Sequence, residues 1–296
     1  MNSPFFHYNS SFDAVGVIRA HAAPNLKPNP KYLTNFLGVL IDPKFFPEIL
    51  AGKGGELEPI PIPANWHADI AEWAAALRAI DLSGHSFTVV ELGCGWGCWL
   101  NNTGVAAKRL SKKTHLIGIE GDRGHIQFAR EASAANGFSE SEVTLFHGVA
   151  AARDGVALFP RQEKSGVHWG LEPVFDASLI ERAKAKLDGT HEELPMISLE
   201  KASPAHPRID FLHIDIQGGE ADLIRDSLAI LNKKVAYMMV GTHSREIEGR
   251  IFEGLRAAGW LLEIERPAIF SIAKGVPQLT VDGVQGWRNP ALLPTD

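Results

Sequence analysis

From Ser86 onward the chain alternates between short apolar runs and stretches with apolar residues at helical spacing. Phe87 to Glu91, "HLIGIE" (His115 to Glu120), "VTLFHGVA" (Val143 to Ala150), "IDFLHID" (Ile209 to Asp215) and "VAYMMVG" (Val235 to Gly241) read as strands. Helical patterns lie between and after them: Trp99 to Leu110, "GHIQFAREASAANG", "EADLIRDSLAIL" and "REIEGRIFEGLRAAG". The second of these stops at Asn136-Gly137, a good left-handed terminator. The strands are apolar nearly throughout, as when helices cover both faces of a parallel sheet. Alternating strands and helices predict an α/β fold with a doubly wound, mostly parallel, Rossmann-like sheet. "WLLEIE" and "AIFSIA", joined at Arg266-Pro267, complete seven strands and are expected to form an antiparallel edge hairpin.

Before the alternation the pattern is poor. Residues 1–65 are rich in proline and aromatics, as in "HAAPNLKPNPKYL" and "PIPIPANW", and read as an irregular N-terminal arm or cap. "ADIAEWAAALRAID" is an amphipathic helix, with Ile70, Trp73, Ala74 and Leu77 on one face. The main domain is expected over 66–275, with an insertion at about 160–200 in a crossover, and residues 276–296 as a C-terminal tail.

Composition adds limits. At 296 residues, 45% hydrophobic and 22% charged, the chain affords a core of ordinary size. A net charge of -6 disfavours a nucleic-acid partner. No apolar run is long enough to span a membrane, and the first residues do not read as a signal peptide. Cys94 and Cys98 read as buried thiols rather than a disulfide or metal site, and a reducing cytoplasm is the default. Oligomeric state is left open.

The candidate chemistry begins at "VVELGCGWGCW", Val89 to Trp99. Ligands of doubly wound folds bind beyond the strand ends, at the first βα corner. Gly93, Gly95 and Gly97 allow a tight turn and close backbone approach. A dinucleotide fingerprint needs a glycine where Cys98 stands, and Trp96 leaves little room for a pyrophosphate. Glu91, before the corner, would repel a pyrophosphate and attract a cationic amine and sulfonium. S-adenosyl-L-methionine is such a ligand. Glu120, with Gly121 and Asp122 beside it, is placed for ribose hydroxyls, and His147, Gly148 and Val149 for the adenine. An NAD(P)-dependent oxidoreductase is the rival on the same fold. A catalytically silent binding protein is a second.

These residues resemble the class I S-adenosylmethionine-dependent methyltransferases. "IDFLHIDIQGGEADLI" is similar to the "D-x-x-K-I-D-V-E-G-x-E" signature of the FkbM family, and "VGTHSREIEGRIFEGLRAAGW" and "DGVQGWRNP" are similar to the segments that follow it in a branch carrying G-T-H-S. The resemblance covers most of 66–290. It departs at His213, Gln217 and Gly241, where the family usually has lysine, glutamate and an acid. It implies methyl transfer to a hydroxyl acceptor, on a sugar or glycan or on a small secondary metabolite.

Such a transfer needs an aligned acceptor and a group to take its proton. Alternation puts Phe211, His213 and Asp215 on one side of their strand, and His243 ends the next. Asp215 and His243 are the candidate catalytic residues, with His213 third. Asp215 also belongs to the cofactor set. His168 and Trp169 in the insertion are placed to cover the acceptor. A variant of this chemistry uses a divalent cation; Asp215 and His243 would supply two ligands, no third is legible, and no metal is expected.

Overall fold

The computed structural model describes residues 3–294. Eight strands form the central sheet: β1 (Asn9–Ser10), β2 (Ser86–Leu92), β3 (Lys113–Glu120), β4 (Val143–His147), β5 (Phe211–Ile214), β6 (Tyr237–Thr242), β7 (Leu261–Arg266) and β8 (Gly283–Arg288). Their order is β1-β7-β8-β6-β5-β2-β3-β4. Pairings from β4 through β6 are parallel, while β8 runs antiparallel to both β6 and β7. The order reverses between β2 and β5, which opens the crevice where doubly wound folds bind ligands.

Both faces of the sheet are covered, as the apolar strands require. On one face Phe87, Val89, Phe211, Tyr237 and Met239 pack against α2 (Ile70–Leu82) and α3 (Cys98–Arg109). On the other, Val90, Leu92, Leu212, Ile214 and Val240 pack with α5 (Glu220–Asp226) and α6 (Arg245–Ala257). Local chemistry sets the helix ends. Asp69 and Glu72 form a reciprocal capping box at the start of α2. Gly137, at φ +74°, follows the end of α4 (Arg123–Ala135).

Three expectations are corrected. The stretch "AIFSIA" does not pair with β7: Ile269–Ala273 pairs with Val276–Val281 in a separate hairpin. The partner of β7 is β8, from the presumed tail, and it lies inside the sheet with every residue buried. Its glycines and mixed polarity hide it from a hydrophobic-period reading. The N-terminal arm is part of the fold: β1 extends the sheet, α1 (Ala14–Ala20) packs on α2, and Ile18, Phe36, Leu37 and Phe45 join the α2 core. The insertion is flanked by its own small sheet, in which Gly155–Pro160 and Val149–Ala150 pair with His191–Ile197.

Candidate functional site

The corner after β2 is built on left-handed backbone: Gly93, Gly95 and Gly97 have φ of +72°, +53° and +74°. A Cβ at Gly93 would lie 2.2 Å from the Asp215 carbonyl oxygen, and one at Gly95 2.9 Å from the Trp169 ring. Glycine is therefore needed for contact with β5 and the insertion as well as for the turn.

Two cavities meet at this corner. The first, of about 330 Å³, is lined by Gly93, Gly95, Glu120, Gly121, Gly148 and Val149, together with His168 and Phe159 from the insertion side. Glu120 is 7% exposed and accepts from the Gly95 and Asp122 amides, each at 2.8 Å. That fixes its carboxylate at the cavity wall. Five residues of the expected cofactor set lie elsewhere, Trp96 among them, on the wall of a second cavity. Gly97 packs beneath the corner against Leu100, Asn101 and Ala129. Asp122 caps α4 by accepting from the His125 amide at 2.8 Å. His147 turns back, its Nε2 2.9 Å from the Gly121 carbonyl oxygen. Glu91 accepts from the Trp99 and Leu100 amides at 3.1 and 3.0 Å, so its carboxylate serves the start of α3. Burial pushes its pKa up, against the pull of His213 and those amides.

The second cavity, of about 540 Å³, has an aromatic wall that includes Phe46, Trp66, Trp96, Trp99 and Trp169. Trp96 belongs here, stacked on Phe45 with centroids 5.5 Å apart. Trp169 is shared by both cavities and is sandwiched between His125, at 3.9 Å, and Phe46, at 4.1 Å. The insertion and the arm thus close the site together. The indole nitrogens of Trp96 and Trp169 are buried with no hydrogen-bond partner among the described residues. His213 lines this cavity and pairs in register with Glu91, its Nδ1 3.6 Å from the carboxylate.

Five residues border both cavities: Gly93, Gly95, Trp169, Asp215 and Gln217. Asp215 is the ionisable one. His243 lines neither cavity among the described residues; it stands behind Asp215, with Nε2 3.4 Å from Asp215 Oδ1 and Nδ1 3.0 Å from Glu220 Oε1. Burial pushes the imidazole down, but the two carboxylates outweigh it and raise His243 to about 10. Burial likewise pushes Asp215 up, while the close approach of His243 and the charges of His213 and His243 bring it below the usual aspartate value. Glu220 is the member of this cluster that sequence reasoning did not select. Its position, five residues past Asp215 in the first turn of α5, reads equally as a helix-start acid.

No family model matches the chain. A protein of Jannaschia sp. (strain CCS1), named "Putative methyltransferase", is 45% identical over 275 residues, covering 93% of this chain and 98% of its own length. The chain belongs to this methyltransferase family. More distant likenesses exist among solved structures. The C-terminal domain of precorrin-6Y C5,15-methyltransferase from Rhodobacter capsulatus has a TM-score of 0.39 at 13% identity, over 75% of this chain and 90% of that one. Ribosomal protein L11 methylase from Lactobacillus delbrueckii subsp. bulgaricus has a TM-score of 0.39 at 11% identity, over 80% and 86%.

The methyltransferase carries two further titratable groups in its second cavity that the sequence did not single out. His67 contacts the Cys98 thiol. Burial, then the charge of His213, lowers its pKa to about 4. Glu72 lines the same wall, and burial, then the charge of Asp69, raises it to about 8. A raised folded-state pKa means stability that is full below the unfolded value, near 4.5, and lost as pH rises through about 8. Between pH 5 and 9 Glu72→Gln should therefore remove part of the loss of thermal stability, on the order of 1–2 kcal/mol. Thermal melts of both proteins across that range check it; parallel pH curves would refute it.

Proposed function

We propose that the chain is an S-adenosyl-L-methionine-dependent O-methyltransferase of the FkbM type, acting on a hydroxyl of a sugar, glycan or small metabolite. The observation that carries this reading is the seam: a glycine corner and one carboxylate, Asp215, border two adjoining cavities. The first suits the cofactor. It has a wall without side chains at Gly93 and Gly95, a fixed carboxylate at Glu120, and apolar cover from Val149 and Phe159. The second suits the acceptor, with flat aromatic surfaces for an oxygen-rich ring.

Bound in the first cavity, S-adenosyl-L-methionine supplies an electrophilic methyl group. The chain's residues do the rest. The aromatic wall orients the acceptor and excludes water. Asp215 accepts a hydrogen bond from its hydroxyl and takes the proton as the oxygen gains the methyl group. His243 acts through Asp215, holding the carboxylate in place. Of the two candidate groups, this reading gives the proton to Asp215, since His243 lines neither cavity among the described residues and two carboxylates favour its protonated form.

Calorimetric titration with S-adenosylhomocysteine tests the cofactor half of the reading, and NAD in parallel tests the rival. Glu120→Ala should weaken S-adenosylhomocysteine binding by about 1–3 kcal/mol, the scale for hydrogen bonds to a charged group. Unchanged affinity would remove Glu120 from the site, and NAD binding alone would overturn the reading. Mass spectrometry of host glycans and small metabolites, with and without the protein, tests the acceptor half through the loss of one methyl group.

A further inference from the structure

The cluster behind Asp215 contains more unsatisfied polarity than a proton relay needs. Asp215, Glu220 and His243 each bring one possible ligand atom to within 4.8 Å of the others. Glu220 is 0% exposed. Its Oε1 accepts from the Ile216 and Gly218 amides at 3.1 and 3.0 Å, but its Oε2 is buried with no hydrogen-bond partner among the described residues. An unpaired buried carboxylate oxygen is costly. Both ring nitrogens of His243 are also buried and make no well-aligned hydrogen bond, although carboxylate oxygens lie 3.0 and 3.4 Å away. The distances suit attraction to a shared charge better than two directed N–H bonds.

Asp282, in the loop before β8, faces Asp215 and Glu220 together with the His243 imidazole and the Arg266 guanidinium. Asp215, Gly241 and Asp282 all line the second cavity, so the cluster reaches its wall. Gly241, where the resemblance puts an acid, leaves the space beside Asp215 open: a Cβ there would sit 3.4 Å from the Asp215 carboxyl carbon.

We propose that Asp215, Glu220 and His243 form a binding site for a divalent transition-metal cation of the manganese type, at the wall of the second cavity. With the His243 proton displaced on binding, one imidazole nitrogen and two carboxylate oxygens suit such an ion better than magnesium, which prefers an all-oxygen shell. Of the three ligands, from two strand ends and a helix start, Asp215 is the one that lines the cavity among the described residues, so the open coordination positions would lie on its side. Resting on the O-methyl reading, this deepens it: two neighbouring acceptor oxygens would complete the shell, which selects vicinal diols. The cation would acidify the hydroxyl that receives the methyl group. Asp215 would bind through one oxygen and keep the other for the proton.

The test uses the full chain, stripped with chelator and titrated with Mn2+. Free Mn2+ is followed by electron paramagnetic resonance and binding by calorimetry. The expected result is one saturable equivalent, weakened about 10-fold or more in Glu220→Gln and in His243→Gln. Asp222→Asn, an exposed change on the same helix, should leave it intact. Circular dichroism confirms that each variant is folded; should Glu220→Gln fail to fold, His243→Gln and Asp215→Asn decide. No saturable binding to the folded wild-type chain, or equal binding by the folded variants, overturns the site. S-adenosylhomocysteine titrated into the same samples separates the two readings. Binding of S-adenosylhomocysteine without Mn2+ binding sinks the cation site alone. Mn2+ binding without it keeps the cation site and sinks the cofactor reading.

Discussion

Asp215→Asn is expected to lower methyl transfer by roughly 100- to 10,000-fold, the range for removing a positioned base. Of the residues that border both cavities, Asp215 is the one able to take a proton at the seam. Asparagine keeps the size of the side chain and an oxygen for the Gln217 amide, which now donates to Oδ1 at 2.8 Å. The fold and the corner should therefore survive. The loss should appear in turnover, with S-adenosylhomocysteine affinity changed only a few-fold. His243→Ala should fall in the same range, because it acts through the same carboxylate, and the double variant should be little worse than either single one. Full turnover by folded Asp215→Asn would show that alignment alone suffices or that another group takes the proton. Neutral His67, on the wall of the second cavity, is the next residue to test.

Asp69→Ala should be the most destabilising of the substitutions considered, by about 3–5 kcal/mol. Asp69 and Arg266 are each 2% exposed and form an ion pair. Arg266 has other partners, the Pro267 and Asp282 carbonyl oxygens, but no other carboxylate in hydrogen-bonding contact among the described residues. Removing Asp69 leaves a guanidinium buried without its counter-charge. It also removes the cap of α2, where Asp69 accepts from the Ala71 amide at 2.7 Å. The pair ties the start of α2 to the end of β7, and both residues line the second cavity. At roughly 2–4 °C per kcal/mol for a large domain, the melting temperature should fall by about 10 °C. Thermal and urea unfolding measure it. A drop no larger than a cap alone explains, about 1 kcal/mol, would show that Arg266 finds another partner.

Much of this protein is legible along the chain. The strands β2 to β6 and the helices between them follow from apolar runs and helical spacing, because each pattern is local. The glycine corner is legible for the same reason: left-handed backbone admits few residues besides glycine, so Gly93, Gly95 and Gly97 announce the turn. Glu120 could be placed from its distance along a βα unit. What failed was whatever depends on partners distant in sequence. β8 has glycines and buried polar residues such as Gln285, and is a strand because β6 and β7 flank it on both sides. The proline-rich arm looks irregular, yet its side chains fill a core that α2 and α3 leave open.

The site divides in the same way. Residue type and strand position select Asp215, but only tertiary structure shows that it borders both cavities and that His243 stands behind it. Glu91 looked free for a cationic ligand; in the fold the amides of α3 reach its carboxylate first. Glu220, His67 and Glu72 gained chemical meaning from burial beside other charges, which no local pattern encodes. Backbone preference acts over a few residues and can be read from the chain. Desolvation and the pairing of charges act through space, and they belong to the folded molecule.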